Sequence, residues 1–418
     1  MMRIFTLLTF LMLSFSGYAQ TNSVNVVTDT NYYYRDTVNK KAYLGSYKPT
    51  GLIQAPDDAL IISNELSIDF PEMYDNSKPN MEYKKFLEYE AHLHVSSGSI
   101  FRLNNQYKKD WEIVLKDKRV EQIKAFDDTS FIAAGDNIHM RKIWVARMRL
   151  ADGKILWFKE FSIRHQSTID QLRISFSKDI IVLSENKRII PISIRKQNYK
   201  TRILLFKKST DFEYLLSLSS LSCNGELNWT RTVDFKNRYD FESYGMAVDT
   251  NINILASYNG FEKMQGKHIK REGENGYVHN LKGHKLMKKS LIITQNGLSV
   301  YENGWVFVNI KSDSISVEKL DTKMKRVLYN VIKLPIKYDY IQSLSFMNGA
   351  YYLYGVTDRK RASHLICKFD TNLNLLNSWT YYGVLWNNIA QWEFDSQGRL
   401  IILGNCSKFT NLVKLELQ

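Results

Sequence analysis

The chain has 418 residues, three cysteines and a formal net charge of +14, with 44% hydrophobic and 24% charged residues. A chain this long can bury a sizeable core without disulfides, so three cysteines exclude a disulfide-stapled scaffold. No vicinal Cys-Cys and no C-x-x-C occurs among Cys223, Cys367 and Cys406. An odd count leaves at least one thiol free, and a Cys367–Cys406 pair is left open.

The N-terminus reads as a secretory signal peptide over residues 1–19. Arg3 supplies the positive start, residues 4–17 are apolar, and Gly17-Tyr18-Ala19 places small residues where a signal peptidase reads. Cleavage is expected before Gln20, leaving a periplasmic or extracellular chain. An uncleaved anchor helix is the alternative. No later stretch approaches the ~20 apolar residues that span a bilayer. The basic charge suits an anionic partner such as an acidic glycan or an envelope surface, and it also serves solubility. Nucleic acid is set aside, because the chain is read as exported and carries no nucleic-acid-binding motif.

Residues 20–50 form an N-terminal segment, and residues 51–418 read as repeats. The clearest repeat spans 119–161. It holds a strand at 120–126, the turn Asp127-Asp128-Thr129-Ser130, and a second strand ending at Gly135. A third strand at 143–150 and the turn Ala151-Asp152-Gly153-Lys154 lead to a fourth at 155–161. Asp-Gly between apolar-rich stretches marks a hairpin, because the turn needs residues that tolerate positive φ. The third turn recurs at Asn104-Asn105, Asn224-Gly225, Asp321-Thr322-Lys323 and Asp370-Thr371-Asn372. The first turn recurs near Asp249, Asn348-Gly349 and Asp395 to Gly398.

Four short antiparallel strands per repeat are the pattern of β-propeller blades. The expected fold is a single all-β propeller of seven blades, with six or eight as alternatives. Six fourth strands are expected near Trp111, Trp157, Trp229, Met287, Val327 and Trp379. The last repeat stops at a third strand, and its outer strand is expected from the N-terminal segment, at 41–47. Such closure removes an open sheet edge.

Asp152-Gly153-Lys154-Ile155-Leu156-Trp157 and Asn224-Gly225-Glu226-Leu227-Asn228-Trp229 resemble the turn-and-tryptophan element of secreted bacterial propellers with quinoprotein-like repeats. That resemblance implies a fold. Many quinoprotein dehydrogenases of that group have eight blades and a vicinal disulfide beside the quinone. Adjacent cysteines are missing here, so no cofactor is carried over.

The repeated tryptophans read as aromatic wedges between blades rather than a ligand platform. His92 and His94 share one face of a strand, but zinc needs three or four ligands and no third is evident, so no metal is assigned. No Ser-His-Asp order, phosphate loop or H-E-x-x-H occurs, and no catalytic residue is assigned.

The long insertions fall between second and third strands, at 185–202, 258–276 and 65–86. The first carries Lys187, Arg188, Arg195, Lys196, Lys200 and Arg202, and the second adds Lys263, Lys267, Lys270 and Arg271. Connections between repeats on the same face hold Arg164, His165, Arg238, Tyr239, Asp240, Tyr338, Asp339, Tyr340, Trp386 and Asn388. Together with Arg188, Arg195 and Lys196 these are the candidate ligand-binding residues, since loops on a rigid scaffold carry binding. Glu121, Asp170, Asp240, Asp339 and Asn388 fall near the starts of innermost strands. They are expected either to bond local backbone or to ring a channel mouth. The sequence thus predicts a non-catalytic binding or scaffold propeller for a glycan or envelope protein. A polysaccharide hydrolase or lyase is the alternative. Oligomeric state is left open.

Overall fold

The computed structural model describes residues 21–22, 24–32, 45–68, 97–137, 142–162, 166–175, 177–197, 204–233, 243–248, 254–259, 261–265, 268–272, 275–279, 285–290, 298–301, 304–310, 314–321, 323, 325–334, 336, 338–358, 363–382, 388–406 and 409–417. The leader expected at 1–19 and the His92/His94 pair lie outside the described residues. Among the described residues, all regular elements are strands.

The chain opens with β1 (Thr21–Asn22) and β2 (Val24–Tyr32). Then come β3 (Gly45–Gln54), β4 (Leu60–Ile68), β5 (Ser97–Leu103) and β6 (Lys109–Leu115). The next group is β7 (Arg119–Asp127), β8 (Ser130–Asn137), β9 (Lys142–Arg149) and β10 (Ile155–Ser162). It is followed by β11 (Gln166–Ile174), β12 (Ile180–Gln197), β13 (Leu204–Leu221) and β14 (Leu227–Val233). The fourth group is β15 (Ser243–Val248), β16 (Ile254–Asn259), β17 (Phe261–Gln265), β18 (His268–Glu272), β19 (Asn275–His279) and β20 (Lys285–Ser290). The fifth is β21 (Leu298–Tyr301), β22 (Gly304–Ile310), β23 (Ser314–Asp321) and β24 (Arg326–Lys333). The sixth is β25 (Tyr340–Met347), β26 (Ala350–Asp358), β27 (Ser363–Phe369) and β28 (Leu375–Tyr382). The chain ends with β29 (Asn388–Phe394), β30 (Leu400–Cys406) and β31 (Phe409–Leu417).

Each group folds as an antiparallel meander, first strand to fourth, with β17 and β18 as a separate ribbon between β16 and β19. The six expected fourth strands are β6, β10, β14, β20, β24 and β28. β29, β30 and β31 form a further sheet whose outer strand is β2. The stretch expected in that place, 41–47, runs instead into β3, whose Gly45–Tyr47 pairs with β4. β3 therefore begins inside the segment assigned to the N-terminal extension. The run Val24-Asn25-Val26-Val27-Thr28, rich in β-branched residues, suits an outer strand. β1 adds parallel to β28, with Asn22 opposite Trp379.

The chain forms two compact units. One holds Ile293–Leu385 with the first 25 residues, and the other holds Val26–Ile292 with Trp386–Glu416. In the second unit, β29, β3, β7, β11 and β15 neighbour one another in that order. Apolar layers fill the space between these sheets. Leu52, Ile62 and Phe101 pack with Ile401, Leu403 and Leu412. Ile53, Ile61 and Ile100 pack with Ile123, Phe131 and Trp144. Ile132, Val145 and Phe126 pack with Leu172, Ile180 and Val182. In the first unit Val306, Val308 and Val317 pack with Leu344, Tyr351, Leu353 and Phe369.

Burial follows strand order. Every residue of β8 is buried, as expected of a strand covered on both faces. The fourth strand β24 is exposed or partly buried at every position but Ile332, as an outer strand should be. Each fully buried large side chain, such as Phe131 or Trp144, contributes about 1.5–3 kcal/mol.

Five of the described first strands share one irregularity, which β15 and β21 lack. A bulge interrupts β3 between Pro49 and Gly51, β7 between Val120 and Gln122, and β11 between Ile169 and Gln171. It recurs in β25 between Ile341 and Ser343, and in β29 between Ile389 and Gln391. Gly135, Gly355 and Gly404 sit opposite the residue just before it. At Gly135 the reason is steric, because a Cβ there would stand 1.8 Å from the Arg119 carbonyl oxygen.

The turns repeat one solution. Asn104, Asp321, Asp370 and Asp395 each accept two backbone N–H groups with one side-chain oxygen, from residues two and four further on. Ser222 does the same with its hydroxyl. These short polar side chains replace the missing ladder bonds, which is why the repeats carry them.

Candidate functional site

The two long insertions are not loops. β12 and β13 pair without a break from Ile180↔Leu221 to Gln197↔Leu204. β11 follows β12 only as far as Lys187, and β14 joins β13 only from Leu216. Beyond those points, among the described residues, the hairpin continues as a two-stranded ribbon with Arg188↔Glu213 at its base. Ten further residues at about 3.4 Å each give an arm of roughly 30 Å. Arg188, Arg195 and Lys196 all lie on it, and Lys187 lies at its root, opposite Tyr214.

The next sheet extends in the same place. β16 pairs with β19, and β17 pairs with β18 over Phe261↔Glu272 to Gln265↔His268. Lys263 and Lys270 are directly opposite each other in this ribbon. The third insertion, at 65–86, enters the described residues only over Glu65–Ile68 of β4.

The connection residues fare unequally. Arg164, His165, Arg238, Tyr239, Asp240 and Trp386 lie outside the described residues. Asn388 opens β29 and Tyr340 opens β25. Asp339 is exposed, and its N–H donates to the Val356 carbonyl at 2.7 Å. Tyr338 is a core residue, 1% exposed. Its hydroxyl donates to the Leu365 carbonyl at 3.1 Å and reaches Cys367 Sγ at 3.4 Å. That burial takes Tyr338 off any binding surface. Cys367 is a free thiol, so it does not pair with Cys406. Burial pushes its pKa up to about 12, which leaves it inert.

The expected ring of carboxylates and Asn does not share one register. Glu121 and Asp170 are the extra residues of their bulges. Asn388 and Asp339 precede the corresponding bulges, and Asp240 lies outside the described residues. Glu121 is engaged by Arg119 at 3.4 Å. Arg119 also grips Asp136 with two bonds, at 2.9 and 2.7 Å, and stands 3.8 Å from Glu65. Burial raises the Asp136 pKa against the pull of Arg119. This is a structural hub that ties β4, β7 and β8 together. Among the described residues no group of three or more His, Cys, Asp or Glu could hold a metal ion.

A different charged set occupies one level of the first strands. Lys124 stands opposite Ile132, Arg173 opposite Ile181 and Glu393 opposite Ile401, each three residues beyond its bulge position. Burial and the nearby Arg173 lower the Lys124 pKa to about 8, against a smaller pull from Glu393. Burial lowers Arg173 to about 10 and raises Glu393. In the sequence these residues are ordinary polar positions on strands. Their common level appears only once the ladders are in register.

The tryptophans behave as wedges. Trp111 faces Gly153 in the next sheet's turn, and Trp157 faces Gly225 in the turn after that. No family model matches the sequence, and no curated protein matches it. Solved structures do match. The Dos1 propeller aligns with TM-score 0.50 and 10% identity over 92% of this chain and 81% of its own. The β-propeller domain of the Trilobed protease from Pyrococcus furiosus aligns at 0.49 and 6% identity, over 89% and 94%. BamB from Moraxella catarrhalis aligns at 0.46 and 8% identity, over 94% and 99%. The first likeness, together with the repeated meanders, shows the fold of this chain: an all-β propeller.

Proposed function

We propose that the chain is a non-catalytic, exported binding or scaffold propeller of seven blades. In this reading it holds an anionic glycan or an envelope protein through the two hairpin arms. The β12–β13 ribbon carries the proposal. It extends an otherwise regular sheet, as a device built to reach something beyond the sheet would.

Residues 188–215 contain seven basic residues, Arg188, Arg195, Lys196, Lys200, Arg202, Lys207 and Lys208, against Asp211 and Glu213. The Lys263↔Lys270 pair points the same way. Like charges directly opposite on a ribbon are destabilising, and an anionic partner relieves them. Propellers serve many functions, so the fold itself argues for none of them.

An array of anionic and neutral glycans, read at low and moderate salt, tests the proposal. Retention on sulfated or uronate-bearing glycans, weakening with salt, is expected. Glutamine at Arg195, Lys196, Lys207 and Lys208 together should abolish retention. An array blank for every anionic glycan removes the glycan reading.

A further inference from the structure

The second unit holds an arrangement that the arms do not explain. Its first strands β29, β3, β7, β11 and β15 are successive neighbours. At one level they carry Glu393, Ile53, Lys124, Arg173 and Ala247, opposite Ile401, Ile61, Ile132, Ile181 and Leu255. Two cations therefore stand at the same level on the adjacent strands β7 and β11.

Other buried or partly buried basic side chains described in this unit are paired with a carboxylate. Arg119 has Asp136, Arg147 has Asp127, Arg102 has Asp57, and Lys414 has Asp395. Among the described residues, neither Lys124 nor Arg173 has an ion pair. The recorded bond of Arg173 is from Nη1 to the Leu172 carbonyl, at 2.9 Å. Both side chains are partly exposed and Glu393 is exposed, so water reaches all three. Yet protein crowds all three enough to disfavour their charged forms. Two neighbouring cations that repel each other, with no ion pair among the described residues, are a cost that an anion held between them would relieve.

We propose that Lys124 and Arg173 together bind a compact oxyanion, a phosphate or carboxylate group, with Glu393 as the flanking group that keeps the ligand small. Arg173 offers a planar fork suited to two oxygens, and Lys124 offers a point charge. Glu393 repels any ligand that extends negative charge toward it. The site is separate from the arms and does not depend on them.

Equilibrium dialysis with labelled inorganic phosphate, and separately with labelled acetate, at constant ionic strength, tests this. Saturable binding of one anion per chain is expected, and the two ligands distinguish phosphate from carboxylate chemistry. K124Q and R173Q should each weaken binding at least tenfold, and E393Q should tighten it. The protein with its arm lysines and arginines neutralised should bind as the parent does. No saturable binding of either anion overturns the proposal, as does binding by K124Q and R173Q that equals the parent's. Loss of binding only in the arm variant assigns the anion to the arms and overturns it too. If the two glutamine variants fail to fold, E393Q decides: tighter binding supports the site, and unchanged binding overturns it.

Discussion

The indole N–H of Trp157 donates to the backbone carbonyl of Cys223 at 3.1 Å, and its ring lies against Gly225 in the same turn. Gly225 has φ of 79°, and an added Cβ would meet the ring at 2.9 Å. One side chain thus locks the outer strand β10 to the β13–β14 turn. Trp111 repeats the ring contact against Gly153, where φ is 70°, but without the hydrogen bond, its indole N–H having no partner among the described residues. Trp157→Ala should cost about 2–3 kcal/mol, below the full value for a buried Trp because this ring is partly exposed. Gly225→Ala should cost ~1–2 kcal/mol through its positive φ and the displaced ring. Urea unfolding checks both. Unchanged stability of Trp157→Ala, with altered ligand binding, would overturn the wedge assignment.

Gly135 predicts a harsher outcome. Its Cβ position lies 1.8 Å from the Arg119 oxygen, and that contact is with backbone. No rotamer change relieves it, so Gly135→Ala should separate β7 from β8 locally. The expected loss is more than about 3 kcal/mol, seen as a lowered Tm or as insoluble protein. A variant with parental Tm would show that the strand crossing is not that close.

Asp395 makes the strongest acid-side prediction. Its side chain is 1% exposed. One oxygen accepts the N–H groups of Gln397 and Arg399, at 3.0 and 2.8 Å. The other accepts from Arg399 Nε at 2.7 Å and Lys414 Nζ at 2.6 Å. Burial alone would raise its pKa, but Lys414, the turn N–H and the Arg399 side chain outweigh that and hold it low. A carboxylate with a depressed folded pKa stabilises above its unfolded value of 3.8, and that contribution is lost as pH falls through its folded value. Asp395→Asn leaves Lys414 buried without its anion, so a cost of about 3 kcal/mol at pH 7 is expected. The gap between parent and variant should narrow below about pH 4. A gap constant from pH 7 to pH 2.5 would remove the charge argument.

The turns were legible in the sequence because each is solved locally. Asp370 and Ser222 bond groups within four residues of themselves, so Asp, Asn, Ser and Gly mark the site without knowledge of the rest. In the sequence the arm has the look of a loop, because Pro191 and the interspersed basic residues break the alternation of a strand. In a two-stranded ribbon each strand keeps one free edge, so a proline and exposed charge are tolerated there. Lys124, Arg173 and Glu393 were illegible for another reason. They are 49 and 220 residues apart in the chain. Only the bulges, which add one residue to each of the first strands β7, β11 and β29, bring them to one level.

Lys124 gives the alkaline counterpart. Its folded pKa of about 8 lies below the ordinary 10.5, because burial and then Arg173 disfavour the ammonium, while Glu393 opposes them only in part. Between these values the unfolded chain holds a proton that the folded chain has lost. Stability from this group therefore rises as pH increases from 8 toward 10.5. Each unit is worth about 1.4 kcal/mol, which bounds the effect near 3 kcal/mol, and water access reduces it to about 1–2 kcal/mol. Lys124→Met removes the charged form altogether. In a chloride buffer free of phosphate and carboxylates, it should be more stable than the parent at pH 7, by that amount. The advantage should shrink steadily between pH 8 and pH 10. Denaturant unfolding at unit pH intervals reads this directly. A variant that is less stable at pH 7, or an advantage that does not change with pH, would show that the ammonium is not penalised where it sits.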